Sequence, residues 1–154
     1  MKRKEVLLGN IKAVLGNTQA IEYFDAVVAV LFSAGKFVMV RHSKRGWEFP
    51  GGRRQDKETY KETVVREIFE EAGARVEDFR LLGYYTSAEN HSTVITCAEV
   101  SSFETLPHLD EIADVGLFEL LPDELSFGNG REELFLNYAR ETGSSQQISQ
   151  KEAI

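Results

Sequence analysis

The sequence predicts a single domain of the α+β class, and three observations carry that expectation. Apolar runs of strand length recur between turn signals. One strongly amphipathic helix stands alone near the middle of the chain. Successive strand candidates are joined by short turns, as in antiparallel hairpins. The 154 residues are 42% hydrophobic and 28% charged, enough to build one core and too apolar for wholesale disorder. Residues 1–142 are read as that domain and residues 143–154, rich in Ser and Gln, as a flexible C-terminal tail.

In order along the chain, residues 1–17 alternate weakly around Val6, Leu8, Ile11 and Val14, which suits a strand or hairpin. Residues 25–33 are Val-rich and apolar throughout, the pattern of a strand buried on both faces. Ala34-Gly35 supplies turn chemistry, and residues 36–41 give the hairpin partner. Residues 42–52, with Gly46, Pro50, Gly51 and Gly52, read as a loop. A helix is predicted over residues 57–72, because Val64, Val65, Ile68, Phe69 and Ala72 fall on one arc, and Gly73 suits a left-handed C-terminal cap. Residues 75–87 and 92–102 look like strands, and residues 111–120 like a strand or strand plus turn. Residues 131–141 fit a last helix with an apolar face of Leu134, Phe135, Tyr138 and Ala139.

Composition narrows the function classes. The longest apolar run, residues 26–32, is far short of the ~20 residues of a membrane span. Gly9, Asn10 and Lys12 interrupt the apolar stretch a secretory signal needs. Cys97 stands alone, which excludes an internal disulfide and a multi-Cys metal cluster, so a cytoplasmic location is expected. A net charge of −7 argues against holding nucleic acid by phosphate neutralisation.

The excess acid is concentrated at Glu58, Glu62, Glu67, Glu70 and Glu71. With Glu67 at zero on the helix wheel, Glu71 lies at about +40° and Glu70 at about −60°, so the three share one side. Their arc adjoins the apolar one, at the edge of the core. Arg66, four residues before Glu70, is placed to pair with it, whereas Glu67 and Glu71 have no evident local partner. Three oxygen ligands on a rigid face suit Mg²⁺ or Mn²⁺ better than zinc. A solvated acidic face is the bland alternative, and composition alone does not dismiss it.

Spacing decides between them. Gly52, Glu58, Arg66, Glu67, Ile68, Glu70, Glu71, Gly73 and Ala74 fit G-x5-E-x7-R-E-U-x-E-E-x-G-U, with U a bulky aliphatic. At average residue usage a chance match to the seven fixed letters arises in on the order of one in a million chains. This resembles the signature of the Nudix hydrolases; Ala74 is smaller than the usual last residue, which affects helix-end packing and not chemistry. Trp47-Glu48-Phe49-Pro50-Gly51-Gly52 looks like the strand and turn that lead into it, and the resemblance covers roughly residues 23–138.

The resemblance implies a Nudix-type α/β/α sandwich, with a mixed β-sheet between helices, that hydrolyses a nucleoside diphosphate linked to another group. It implies Mg²⁺, or Mn²⁺ in its place, held by Glu67, Glu70 and Glu71 with the Gly51 carbonyl. Glu67 then takes the proton from the attacking water, Arg66 orients a glutamate, Glu58 supports it, and Gly52 permits the backbone geometry that presents the carbonyl. A further acid from a later loop is expected, with Glu111 the candidate and Asp110, Asp114 and Glu89 behind it; for each, plain surface charge is the alternative.

For the substrate, the run from Arg45 to Gly52 looks like MutT-type nucleoside triphosphate pyrophosphohydrolases, including those acting on oxidised guanine nucleotides. No proline lies between residues 74 and 106, which counts against ADP-ribose. Arg41 and Arg53, with Lys44, Arg45 and Arg54 nearby, flank the glycine turn as phosphate contacts or as exposed charge. Asn129 is either a base-reading amide or plain Gly-Asn-Gly turn chemistry. Nucleotide sugars, dinucleoside polyphosphates, capped RNA ends and a non-catalytic nucleotide-sensing module stay open. The expected partner is a small-molecule nucleotide, with no stable nucleic-acid complex and no membrane, and a homodimer is left open.

Overall fold

A computed structural model describes residues 3–16, 23–104 and 111–152, with side chains as far as Gly143. The elements are β1 (Lys4–Leu8), β2 (Ile11–Leu15), β3 (Ala26–Ser33), β4 (Lys36–His42), β5 (Trp47–Glu48), β6 (Gly51–Arg53), α1 (Tyr60–Ala72), β7 (Ala74–Ser87), β8 (Ser92–Phe103), β9 (Ile112–Phe118) and α2 (Arg131–Glu152). The described strands form one mixed sheet running β1-β2-β7-β8-β3-β4-β5, with β6 against β3 and β9 against β4. Only the β3–β8 pair is parallel among the described strands; the other pairings are antiparallel.

The sheet separates two cores. On one face Val64, Ile68 and Ala72 of α1 pack with Val27, Ala29 and Leu31 of β3 and with Val38 and Val40 of β4. On the other, Phe135, Leu136, Tyr138 and Ala139 of α2 pack with Val30 of β3 and with Phe37 and Met39 of β4. A strand covered by helices on both faces has no solvent side, and so β3 is apolar at every position but Ser33 and β4 carries the unbroken apolar run Phe37–Val40. This is the α/β/α sandwich expected from the sequence.

Central strand β3 also positions the glycine turn. One of its edges is taken by β8 along almost its full length. The other is divided: Leu31–Ser33 pairs with the start of β4, and Ala26–Val28 pairs with β6. Residues 42–52, loop-like by pattern though Trp47–Gly52 resembles a strand and turn, thus contain one short strand and the start of a second. Three-residue β6 is held by pairing with a distant strand and by a bond from the Ala29 amide to the Pro50 carbonyl (2.9 Å), which glycine and proline content does not reveal.

Two boundaries and one helix face also differ from expectation. Helix α1 starts at Tyr60 and not at residue 57, because Lys57 sits at φ +66° in a turn. Thr59 caps it in a reciprocal box with Glu62. Val65 is exposed and Thr63 is buried in its stead, so the inward arc is rotated by part of a turn. Helix α2 continues past residue 141 to Glu152. Gly73 does close α1 in the left-handed conformation (φ 66°, ψ 22°), donating its N–H to the Phe69 carbonyl at 3.0 Å, and that sharp reversal sends the chain straight into β7.

Candidate metal and phosphate site

The acidic side of α1 faces β6, and the two are joined by side chains. The Gly51 amide donates to Glu71 Oε1 at 2.9 Å. The Glu67 carboxylate lies directly over Gly52, so that any Cβ at this position would overlap it. Gly52 is therefore required for close approach. The expectation that it supplies backbone freedom is corrected, because its φ lies outside the left-handed region.

Arg66 organises the cluster. Its Nε and Nη2 grip both oxygens of Glu58 (2.8 Å each), Nη1 reaches Glu67 (2.8 Å) and Glu70 (3.2 Å), and Nη2 also donates to the Arg53 carbonyl at 2.9 Å. The pairing with Glu70 is the one the helix spacing predicts; the bonds to Glu67 and Glu58 answer the question of what holds those carboxylates. Glu58 also accepts from the Gln55 amide and the Thr63 hydroxyl, and with Arg66 these hold its carboxyl down at about 2. Glu58 and Arg66 thus form a permanently charged strut between the turn before α1 and its middle.

The neighbouring carboxylates are held less comfortably. Burial raises the Glu67 carboxyl pKa against the opposing pull of Arg66. Burial pushes Glu71 further, to about 8, with the negative charges of Glu67 and Glu48 adding to the shift and the Gly51 amide opposing it. Like charges that cannot all be neutralised by protein cations call for an external one. All the donors are oxygen, so the residues fit a hard divalent cation. Among the described residues no three His, Cys, Asp or Glu side chains form a preassembled metal shell; Glu67 and Glu70 are engaged by Arg66 and Glu71 by Gly51 instead.

Two residues without a predicted role belong to this cluster. Glu48 is buried on β5, contributes to the raised pKa of Glu71, and is gripped by Arg45 through Nη2–Oε1 (2.8 Å) and Nε–Oε2 (3.2 Å). A two-residue strand gives no alternation that could have marked Glu48 in the sequence. Glu132, at the start of α2, is also buried: Oε2 accepts from the Phe127 amide at 3.2 Å, and Oε1 has no hydrogen-bond partner among the described residues.

The remaining candidates are dispersed. Glu111 is exposed; its carbonyl accepts from the Ser43 amide at 2.8 Å, and its charge acts on Arg45, which puts it on the rim of the cluster. Asp114 is exposed on β9 and accepts from the Val115 amide, Glu89 is exposed in the β7–β8 turn, and Asp110 lies outside the described residues. Arg41 and Arg53 are exposed at β4 and β6. Asn129 Oδ1 accepts from both the amide and Nε of Arg131 (3.2 Å each), which commits its acceptor to the start of α2 and leaves its amide donors as the groups that can face a ligand. Trp47 packs edge-on to Phe118 at 4.8 Å, Tyr85 stacks on Phe135, and Cys97 is buried, each as a core residue.

A sheet between two helix layers, with an arginine-braced row of glutamates against a glycine turn, defines a class of proteins that present carboxylates to a divalent cation. Residues 22–137 match the NUDIX domain model, and the chain belongs to that family. It is 34% identical over 95 residues to a putative 8-oxo-dGTP diphosphatase, YtkD, of Bacillus subtilis, and it spans 60% of that relative's length. Its fold is similar to the crystal structure of the Bacillus subtilis pyrophosphohydrolase BsRppH, with a TM-score of 0.76, 24% identity, and coverage of 91% of this chain and 98% of that one. It is also similar to a MutT NUDIX hydrolase from Burkholderia pseudomallei, at a TM-score of 0.57 and 22% identity over 76% of this chain and 98% of that one. No described helix is long and apolar enough to cross a membrane.

Proposed function

We propose that this protein hydrolyses a nucleoside triphosphate to the monophosphate and pyrophosphate, with Mg²⁺ as the cation and oxidised purine nucleotides of the 8-oxo-dGTP type as the preferred substrates. The observation that carries the reading is the joint placement of Glu67 and Glu71 against Gly51-Gly52, with Arg66 holding Glu67, Glu70 and Glu58 in one array. The similarity to the Bacillus subtilis 8-oxo-dGTP diphosphatase relative favours the oxidised nucleotide.

In this reading Glu67, Glu70, Glu71 and the Gly51 carbonyl hold the cation, with Glu111 as a further acid from the rim. The cation neutralises the polyphosphate and lowers the pKa of bound water. Glu67, raised by burial and steadied by Arg66, accepts the proton of the attacking water. Arg66, fully engaged with Glu58, stays out of the chemistry and fixes direction. Arg41 and Arg53 meet phosphates, and the Asn129 amide meets the base. The cytoplasm, which holds the nucleotide pool, is the matching location.

The test is product identification from a panel of dGTP, 8-oxo-dGTP, ADP-ribose, a UDP-sugar, a dinucleoside polyphosphate and a triphosphate-ended RNA in Mg²⁺, with Glu70→Gln and Glu71→Gln as controls. Monophosphate and pyrophosphate from 8-oxo-dGTP support the proposal. Faster release from ADP-ribose or the RNA reassigns the substrate, and tight nucleotide binding without turnover makes the protein a sensor.

A further inference from the structure

Arg45 stands beside the glutamates with its side chain half exposed. Its loop is fixed at every side. The His42 amide donates to the Gly46 carbonyl (3.0 Å), the Ser43 amide to the Glu111 carbonyl (2.8 Å), and the Gly46 amide to Ser126 Oγ (3.0 Å). A Cβ at Gly46 would overlap the Glu124 carbonyl, so the loop is pressed flat against residues 124–125. The backbone of Arg45 is thus held in place while its side chain is 47% exposed, and the carboxylate beneath it, Glu48, is 11% exposed. The Arg45 charge is felt from Glu48, Glu71 and Glu111 together. Through the Ser43–Glu111 bond, the loop that carries Arg45 is also tied to exposed Glu111.

We propose that Arg45 is a place-holding cation: it neutralises Glu48 while the carboxylates lack metal, and it turns outward to grip the substrate's polyphosphate once a divalent cation occupies them. The proposal rests on the reading of the site as a metal-dependent nucleotide site. The physical cause is charge balance. A dication beside Glu71 repels the guanidinium and compensates Glu48, so both reasons for the closed ion pair weaken at once. The same dication draws in a polyphosphate, whose oxygens suit the planar guanidinium fork. A long side chain on a fixed backbone makes that turn without moving the fold; the guanidinium end of the pair is already half exposed, and a dication compensates the buried Glu48 carboxylate that the turn leaves behind.

The experiment compares wild type with Arg45→Met, which keeps the alkyl stem, in two measurements. Mn²⁺ titration without nucleotide reads the place-holding half: removing the competing charge tightens Mn²⁺ binding about tenfold. Steady-state kinetics on the nucleotide found in the substrate screen read the gripping half: KM rises roughly 10- to 100-fold while kcat stays within a few-fold. Arg45→Lys restores both in part. Unchanged or weaker Mn²⁺ binding overturns the place-holding role, and an unchanged KM overturns the gripping role. A purely structural Arg45 lowers the melting temperature and moves neither. Because the Mn²⁺ measurement needs no turnover, it succeeds or fails separately from the assignment of the substrate.

Discussion

The two arginines on either side of the glutamate row behave as opposites. Arg66 is largely covered and makes five hydrogen bonds, to Glu58, Glu67, Glu70 and the Arg53 carbonyl. Arg45 is half exposed and, among the described residues, holds Glu48 alone. Both carry the same charge at the same cluster, so charge does not set their roles. Bond count and burial do: a guanidinium with every donor engaged orients its neighbours, and one with spare donors and a solvent-facing arm is free to change partner.

The largest effect expected is on the carboxylates between them. Glu71→Gln and Glu67→Gln each reduce turnover by roughly 10³-fold in single-turnover assays with the fold retained by circular dichroism. Turnover within tenfold of wild type in both would remove the metal-holding role. Next, Arg66→Met leaves Glu58 without its cation and costs about 3 kcal/mol in urea unfolding as well as activity. Arg66→Lys, which cannot serve four acceptors at once, lowers activity roughly 10- to 100-fold at a smaller stability cost. A loss confined to stability would reduce Arg66 to a structural strut. Gly52→Ala tests the same side from the turn: the Cβ pushes the Glu67 carboxylate aside, so activity falls while the melting temperature moves little.

Acid and alkali separate the two sides further. Glu71, raised to about 8, carries a penalty that is absent below its unfolded value near 4.5 and grows as pH rises through 8. Metal-free protein therefore loses stability from this group between about pH 5 and 8. Glu71→Gln lacks that loss and is the more stable protein at pH 8. Glu58, held at about 2, acts in the other direction: its contribution is complete above 4.5 and disappears as pH falls towards 2. Thermal melts of both proteins in chelator across this range check the sign, and parallel curves would refute the shift at Glu71. The smallest effect is the stability change of Arg45→Met, about 1–2 kcal/mol in metal-free protein, because the buried Glu48 loses its cation while the guanidinium end of the pair is already half solvated.

Much of the functional surface was legible in the chain itself. Glu67, Glu70, Glu71, Arg66 and Glu58 sit on one helix and the turn before it, and there a fixed rise and a fixed angle per residue turn spacing into direction. The apolar run of β3 likewise announced a strand buried on both faces, since period-two alternation disappears when neither side is wet. The β5 and β6 strands were not legible in the residue pattern, and only the family resemblance of Trp47–Gly52 pointed to a strand there, because two or three residues carry too little pattern and their pairing energy comes from β3 and β4, twenty or more residues away in the case of Gly52 and Val27.

What the amino-acid order determined by itself is local: the helix, its cap at Gly73, and the acidic side that marks the family. What only the folded chain decided is which groups meet. The Glu71 carboxylate finds the Gly51 amide, Glu67 finds the space left by a missing Cβ at Gly52, Arg66 closes on Glu58, and Arg45 rests on Glu48 beside Glu71. Carboxyl pKa values, open or closed ion pairs and room for a cation depend on through-space distance and burial, which long-range packing sets and which spacing along the chain does not encode.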